Sequence, residues 1–157
     1  MIMSKQSAAA LHVTEEQLVT MRIHNQLLGI PVREAREILR EQKITKIPLV
    51  PSEIAGALNL RGRIVTVIDI RHRLQLPPRD LSVPCIFVVM EHKGELYSLI
   101  VDSVGDVLTI PSTSIQNAPP NLAPNWRDIS AGVHRLEKDL LIILDPRPLF
   151  TFEAGSR

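Results

Sequence analysis

The chain predicts an all-β protein built from small closed barrels, and three observations carry that expectation. Short runs of β-branched and aliphatic residues recur along it, with prolines and glycines in many of the connections. Only one segment, Val32 to Glu41, repeats apolar residues at helical spacing. The 157 residues include 12 prolines but only three phenylalanines, one tyrosine and one tryptophan, which suits stiff connections around strands with aliphatic cores. Nine or ten short strands would leave unpaired edges in an open sheet, and closure into small barrels removes them.

In chain order, Leu18 to Pro31 reads as a hairpin: Val19, Met21 and Ile23 alternate with polar neighbours, and His24-Asn25-Gln26 turns the chain. Val32, Ala35, Ile38 and Leu39 then form an apolar stripe on the expected helix Val32–Glu41, with Pro31 before its first turn. Ile44 to Leu49 is extended and runs into a proline turn at Pro48 to Pro51. Asn59-Leu60-Arg61-Gly62 bends the chain between two extended pieces, and the run from Ile64 to Ile70 predicts a central strand buried on both faces. Arg71 to Leu74 is a brief helical turn before Pro77-Pro78. Cys85–Met90 and Leu96–Val101 pair across Glu91 to Glu95, and Val104 to Ile110 continues extended. Residues 111–128 read as mostly a proline-rich loop with one turn. Ala131–Leu136 and Leu140–Leu144 form the last hairpin, and Asp145-Pro146 starts a closing turn. No internal repeat and no low-complexity tract is evident. Residues 1–15 read as a loose tail, 16–152 as the folded unit and 153–157 as a short tail.

A formal net charge of +1 demands neither nucleic acid nor a membrane surface. One cysteine, Cys85, excludes an internal disulfide, suits a reducing cytoplasm and precedes an apolar strand, as an inert thiol would. His12, His24, His72, His92 and His134 show no metal-ligand spacing, and the nucleophile-elbow, P-loop and dinucleotide-binding glycine patterns are all missing, so no metal, no cofactor and no catalysis is expected. The rival is a barrel that binds nucleic acid through the basic segment from Arg61 to Arg79. Single-strand binders stack bases on aromatics, and no aromatic precedes Phe87.

The segment Pro51 to Ile70, PSEIAGALNLRGRIVTVIDI, resembles the signature of the CheW-like family, the coupling proteins of bacterial chemotaxis. Pro51, Ile54, Gly56, Asn59, Leu60, Arg61, Gly62, Ile64, Val67 and Asp69 fall on family positions. The resemblance spans about residues 16–152 and implies two five-stranded SH3-like barrels packed side by side. It also implies a scaffold that joins the cytoplasmic tips of methyl-accepting chemoreceptors to the histidine kinase CheA, located in the cytoplasm at receptor arrays. The near-neutral charge, a length able to bury its own core and the lack of a heptad pattern predict a monomer in isolation. The implied receptor groove maps to Val19, Val32, Ala35 and Val104, and Glu37 falls on a helix glutamate implicated in coupling. Gly56, Asn59, Arg61 and Gly62 are expected to be structural, with the Arg61 guanidinium turned inward to satisfy carbonyls between the barrels. Leu28, Ala35 and Glu53 depart from the common family residues, and the small Ala35 implies either a shallower groove or one tuned to a different receptor class.

Overall fold

The computed structural model describes residues 14–40 and 42–150. Ten strands form two five-stranded sheets, with little helix. The strands are β1 (Glu15–Ile23), β2 (Gln26–Pro31), β3 (Glu37–Arg40), β4 (Ile54–Leu60), β5 (Arg63–Ile68), β6 (Ile86–His92), β7 (Glu95–Val101), β8 (Ser103–Pro111), β9 (Ser130–Arg135) and β10 (Leu140–Leu144). One-turn helices α1 (Ile70–Arg73) and α2 (Pro124–Arg127) and three 3-10 turns, Val32–Glu34, Ser112–Ser114 and Arg147–Phe150, complete the chain. β1 begins at Glu15, inside the expected tail.

The first sheet runs β8-β1-β2-β10-β9 and the second β3-β6-β7-β5-β4, so each is assembled from both halves of the chain. The two follow one plan. A hairpin (β1–β2 or β6–β7) turns on two left-handed residues, His24-Asn25 at φ 51 and 68 or Lys93-Gly94 at φ 53 and 81. Its second strand pairs in parallel with β10 or β5. That strand belongs in turn to a second hairpin, β9–β10 or β4–β5. Bridges Gln116–Val133 and Thr45–Ala57 then bring the chain beyond each outer strand onto the opposite edge, closing the barrels. The repeat missed in the sequence is therefore present: Ala55-Gly56 and Asp69-x-Arg71 recur, at the same internal spacing, as Ala131-Gly132 and Asp145-x-Arg147. Asp69 Oδ1 accepts from the Arg71 N–H at 3.1 Å, and Asp145 Oδ1 from the Arg147 N–H at 3.2 Å.

Three apolar clusters explain why the strands read as apolar on both faces. Leu18, Leu27, Ile110, Leu141 and Ile143 fill the first barrel. Leu58, Val65, Val67, Phe87, Val89, Leu96 and Ile100 fill the second. Between the barrels lies a shared layer that takes the alternate residues of the same strands, Val19, Met21, Leu28, Ile30, Val88, Met90, Leu99 and Ile142 among them. Each side chain fully buried in these layers contributes about 1.5–3 kcal/mol.

Two expectations fail here. The helix Val32–Glu41 is not formed: a 3-10 turn covers Val32–Glu34 and β3 covers Glu37–Arg40, while Glu41 lies outside the described residues. The second-barrel interior selects period 2, because Leu39 packs inward beside Phe87 while Ile38 and Arg40 face out. The central strand is likewise shorter than Ile64–Ile70. Ile64 is exposed, and Asp69 ends the run by capping α1, whose first residue is Ile70.

Candidate functional site

Val19, Ala35 and Val104 all belong to the apolar layer between the barrels. Val19 is buried in it, and Ala35 and Val104, on the two segments that cross between barrels, pack against it half-buried. Val32 opens the 3-10 turn beside them and is exposed; the Ala35 N–H donates to its carbonyl at 3.1 Å and ends the turn. Two further residues belong to the same apolar ground. Ile38 pairs with Val88 and Val107 pairs with Val19, so each shares a face with the central layer, yet they are 42% and 54% exposed. Their exposure marks an unpartnered surface flanking a buried one. Reading 32–41 as a strand would have singled out Ile38, because its alternation with Leu39 puts it on the face away from the barrel interior.

The Arg61 expectation is overturned. Arg61 stands at the tip of the β4–β5 hairpin with φ 49, and its side chain is 70% exposed. It touches no carbonyl at the junction; Nη1 donates to Glu37 Oε2 at 3.1 Å and Nη2 to Glu37 Oε1. Glu37 itself lies on β3, not on a helix. The hydrogen bonds from Arg61 hold the Glu37 carboxyl below its ordinary value, and the same pairing raises Arg61. Arg36, on Glu91, and Arg63 stand beside this pair around a cavity of about 360 Å³ floored by Leu60, Val89 and Leu96. The role foreseen for Arg61 falls to Arg71, largely buried, which donates to Pro77 O at 2.8 Å and Asp102 Oδ2 at 2.7 Å. Asp102 Oδ2 also accepts from the His24 N–H at 2.9 Å, tying the first barrel's hairpin to the second crossover.

The other signature residues shape the backbone. Asn59 Oδ1 accepts from the Gly62 N–H at 2.9 Å and clamps the hairpin turn. Gly56 sits where the Thr45–Ala57 bridge closes the second barrel, at φ +149, and a Cβ there would stand 2.4 Å from the Thr45 carbonyl oxygen.

Nothing among the described residues assembles a catalytic or metal centre. No group of three or more His, Cys, Asp or Glu that could hold a metal ion gathers there. Ser114 Oγ lies 3.0 Å from His134 Nδ1 and also donates to the Pro111 carbonyl at 2.7 Å. Burial raises the Cys85 thiol above its ordinary value, which disfavours the thiolate. Within the basic segment Arg61 and Arg71 are committed to carboxylates. No described helix is long and apolar enough to cross a membrane.

Two interleaved five-stranded barrels that share an apolar layer define a paired-barrel domain. The model of the CheW-like domain matches residues 17–154, and the chain belongs to that family. It is 28% identical to the chemotaxis protein CheW of Bacillus subtilis over 91% of this chain and 92% of that one. It is 27% identical to a probable chemotaxis protein CheW of Rhizobium etli, covering 90% and 92%. The crystal structure of the scaffolding protein TtCheW from Thermoanaerobacter tengcongensis superposes with a TM-score of 0.80 at 29% identity, covering 93% of each chain.

Proposed function

We propose that this chain is a non-catalytic scaffold of chemosensory signalling, coupling the cytoplasmic tips of methyl-accepting chemoreceptors to the histidine kinase CheA. Relatives named as chemotaxis and scaffolding proteins support the reading. The observation that carries it is the apolar ground along the barrel junction, where exposed Val32, Ile38 and Val107 adjoin half-buried Ala35 and Val104. An amphipathic helix binds in such a place by laying its apolar face along the groove. The receptor tip, a helical hairpin, is the expected occupant, and Val19 supports the floor from below. Glu37, held by Arg61 away from the junction on the second barrel's rim, is the candidate contact for the kinase.

In this reading the protein is cytoplasmic, gathers at membrane-associated receptor arrays, and is a monomer in isolation. Its coupling is mechanical: two surfaces on one packed body bring a change in receptor packing to the kinase. Co-purification with a receptor tip fragment and with the CheA regulatory domain tests it. Retention of both is expected, with Val32→Asp losing the receptor fragment and keeping the kinase domain. A wild-type chain that retained neither would end the proposal.

A further inference from the structure

The strand pairings divide into two kinds. β1–β2, β4–β5, β6–β7 and β9–β10 are hairpins, each made within β1–β5 or within β6–β10. The others, β1–β8, β2–β10, β3–β6 and β5–β7, all join the first set of strands to the second. The ion pair of Arg71 with Asp102 and the hydrogen bond from Asn125 to the Leu74 carbonyl join the same two sets. So does the shared apolar layer, to which the first set brings Ala35 and the second Val104. A single covalent connection links the sets, running from Leu74, buried at the end of α1, to β6.

That connection is loosely held. Residues 80–84 are exposed, Leu81 at 81% and Val83 at 55%. Its hydrogen bonds beyond Pro77 are local, from Ser82 and Val83 to Asp80, and among the described residues none ties 78–85 to another part of the chain. Yet it starts and ends in one place. Arg71 reaches both the Pro77 carbonyl and Asp102, and Asp102 follows the residue paired with Ile86. Pro78 and Pro84 bias the residues before them toward extended backbone. Fully extended, the segment 78–85 spans roughly 26 Å, enough to leave the body of the molecule instead of folding back onto it.

We infer that the chain also assembles by strand exchange with a second copy of itself. In this dimer β1–β5 of each copy complete both barrels with β6–β10 of the other, and residues 78–85 cross between the two units. Every strand pairing, the Arg71–Asp102 ion pair and the apolar layer are kept, so dimer and monomer differ only in the crossing segment. There the two copies of Leu81-Ser82-Val83 meet about the two-fold axis, and alternate apolar residues that stand in water in the monomer gain a partner. Closure within one chain has an effective concentration on the order of millimolar, so the monomer forms at micromolar concentration and the dimer competes near 1 mM. The inference rests on topology and stands apart from the coupling proposal.

Two measurements test it. The full chain is unfolded in urea, refolded at about 10 µM and at about 1 mM, and sized by light scattering. Monomer alone is expected at the lower concentration. At the higher, a dimer should form and survive dilution, since the two forms interconvert only by undoing every pairing between the sets. Val19→Asp and Leu141→Asp, in turn, bury a carboxyl without a partner in β1 and in β10, and neither chain should fold by itself. Refolded together, they should recover about half of the wild-type circular dichroism as a heterodimer, because one of its two units carries no substitution. Should either variant fold alone, Leu28→Asp or Ile142→Asp takes its place. A mixture that stays unfolded overturns the inference, and any dimer of the wild-type chain is then a surface contact. Monomer alone at both concentrations overturns it as well.

Discussion

Arg61 holds both oxygens of the Glu37 carboxylate, linking the β4–β5 hairpin tip to β3 across the rim of the second barrel. Exposed pairs of this kind contribute little to stability. Arg61→Ala should therefore leave the melting temperature nearly unchanged, whereas Arg71→Ala, which strands Asp102 at the junction, should cost about 1–3 kcal/mol. Chemical denaturation of the two variants checks the order; equal losses would refute it.

The same pair has a definite pH behaviour. The Glu37 carboxyl is depressed when folded, so its small contribution is present above the unfolded carboxylate value and fades as pH falls through the folded one. A carbon-detected NMR titration should place the Glu37 midpoint below that of an ordinary glutamate, and Arg61→Ala should return it upward. A midpoint unmoved by that substitution would mean the pair is not formed in solution.

Gly56 and Gly132 close the two barrels in equivalent places, at φ +149 and +154. A Cβ on Gly56 would strike the Thr45 carbonyl at 2.4 Å, while on Gly132 the nearest atom is Ile115 Cγ2 at 2.7 Å, the end of a side chain that can yield. Gly56→Ala should cost about 3 kcal/mol or more and Gly132→Ala about 1–2 kcal/mol. Urea midpoints at unchanged slope read the difference directly.

Ser98 is fully buried, and its hydroxyl has no hydrogen-bond partner among the described residues. It occupies the place that Gly29 has in the first barrel, each across a parallel pair from Val67 or Ile143. Ser98→Ala removes an unsatisfied group at almost no change in volume and should stabilise by up to about 1 kcal/mol. Gly29→Ser should do the reverse, since even a Cβ meets Leu18 Cδ1 at 3.3 Å. Thermal melts of both variants decide it.

Exposure separates contact from core along the junction. Val32→Asp and Ile38→Asp place a charge on partly exposed residues, where the carboxylate can reach water, and should melt within a few degrees of the wild type. Val19→Asp buries a carboxyl without a partner, which costs about 2–7 kcal/mol even when protonated and more when ionised, and should abolish the fold. Receptor-fragment binding measured on the folded variants then tests the groove.

Much of this architecture was readable from turns and alternation. His24-Asn25, Arg61-Gly62 and Lys93-Gly94 are turn chemistry, and the strands they join stand where expected. The stretch 32–41 misled because Val32, Ala35, Ile38 and Leu39 satisfy a helical stripe, while the choice of β3 is made by Phe87 and Val88 on a strand far along the chain. Arg61 misled because an arginine beside a buried strand has two places to go. At a hairpin tip it reaches outward, and the carboxylate that receives it lies across the sheet on β3. The repeat escaped notice because few identities survive in it, and only register shows which residues correspond.

The interleaving of the strands has a consequence for how the molecule comes apart. Each barrel takes two strands from one half of the chain and three from the other, so no single cut between β5 and β6 can release an intact barrel. A fragment ending before β6 would hold a hairpin without its barrel and three strands without their hairpin, and each fragment would expose half of every core. The two halves should be unstructured apart and recover the fold when mixed. Unfolding of the intact chain should be one cooperative event, because neither barrel can open without withdrawing strands from its neighbour.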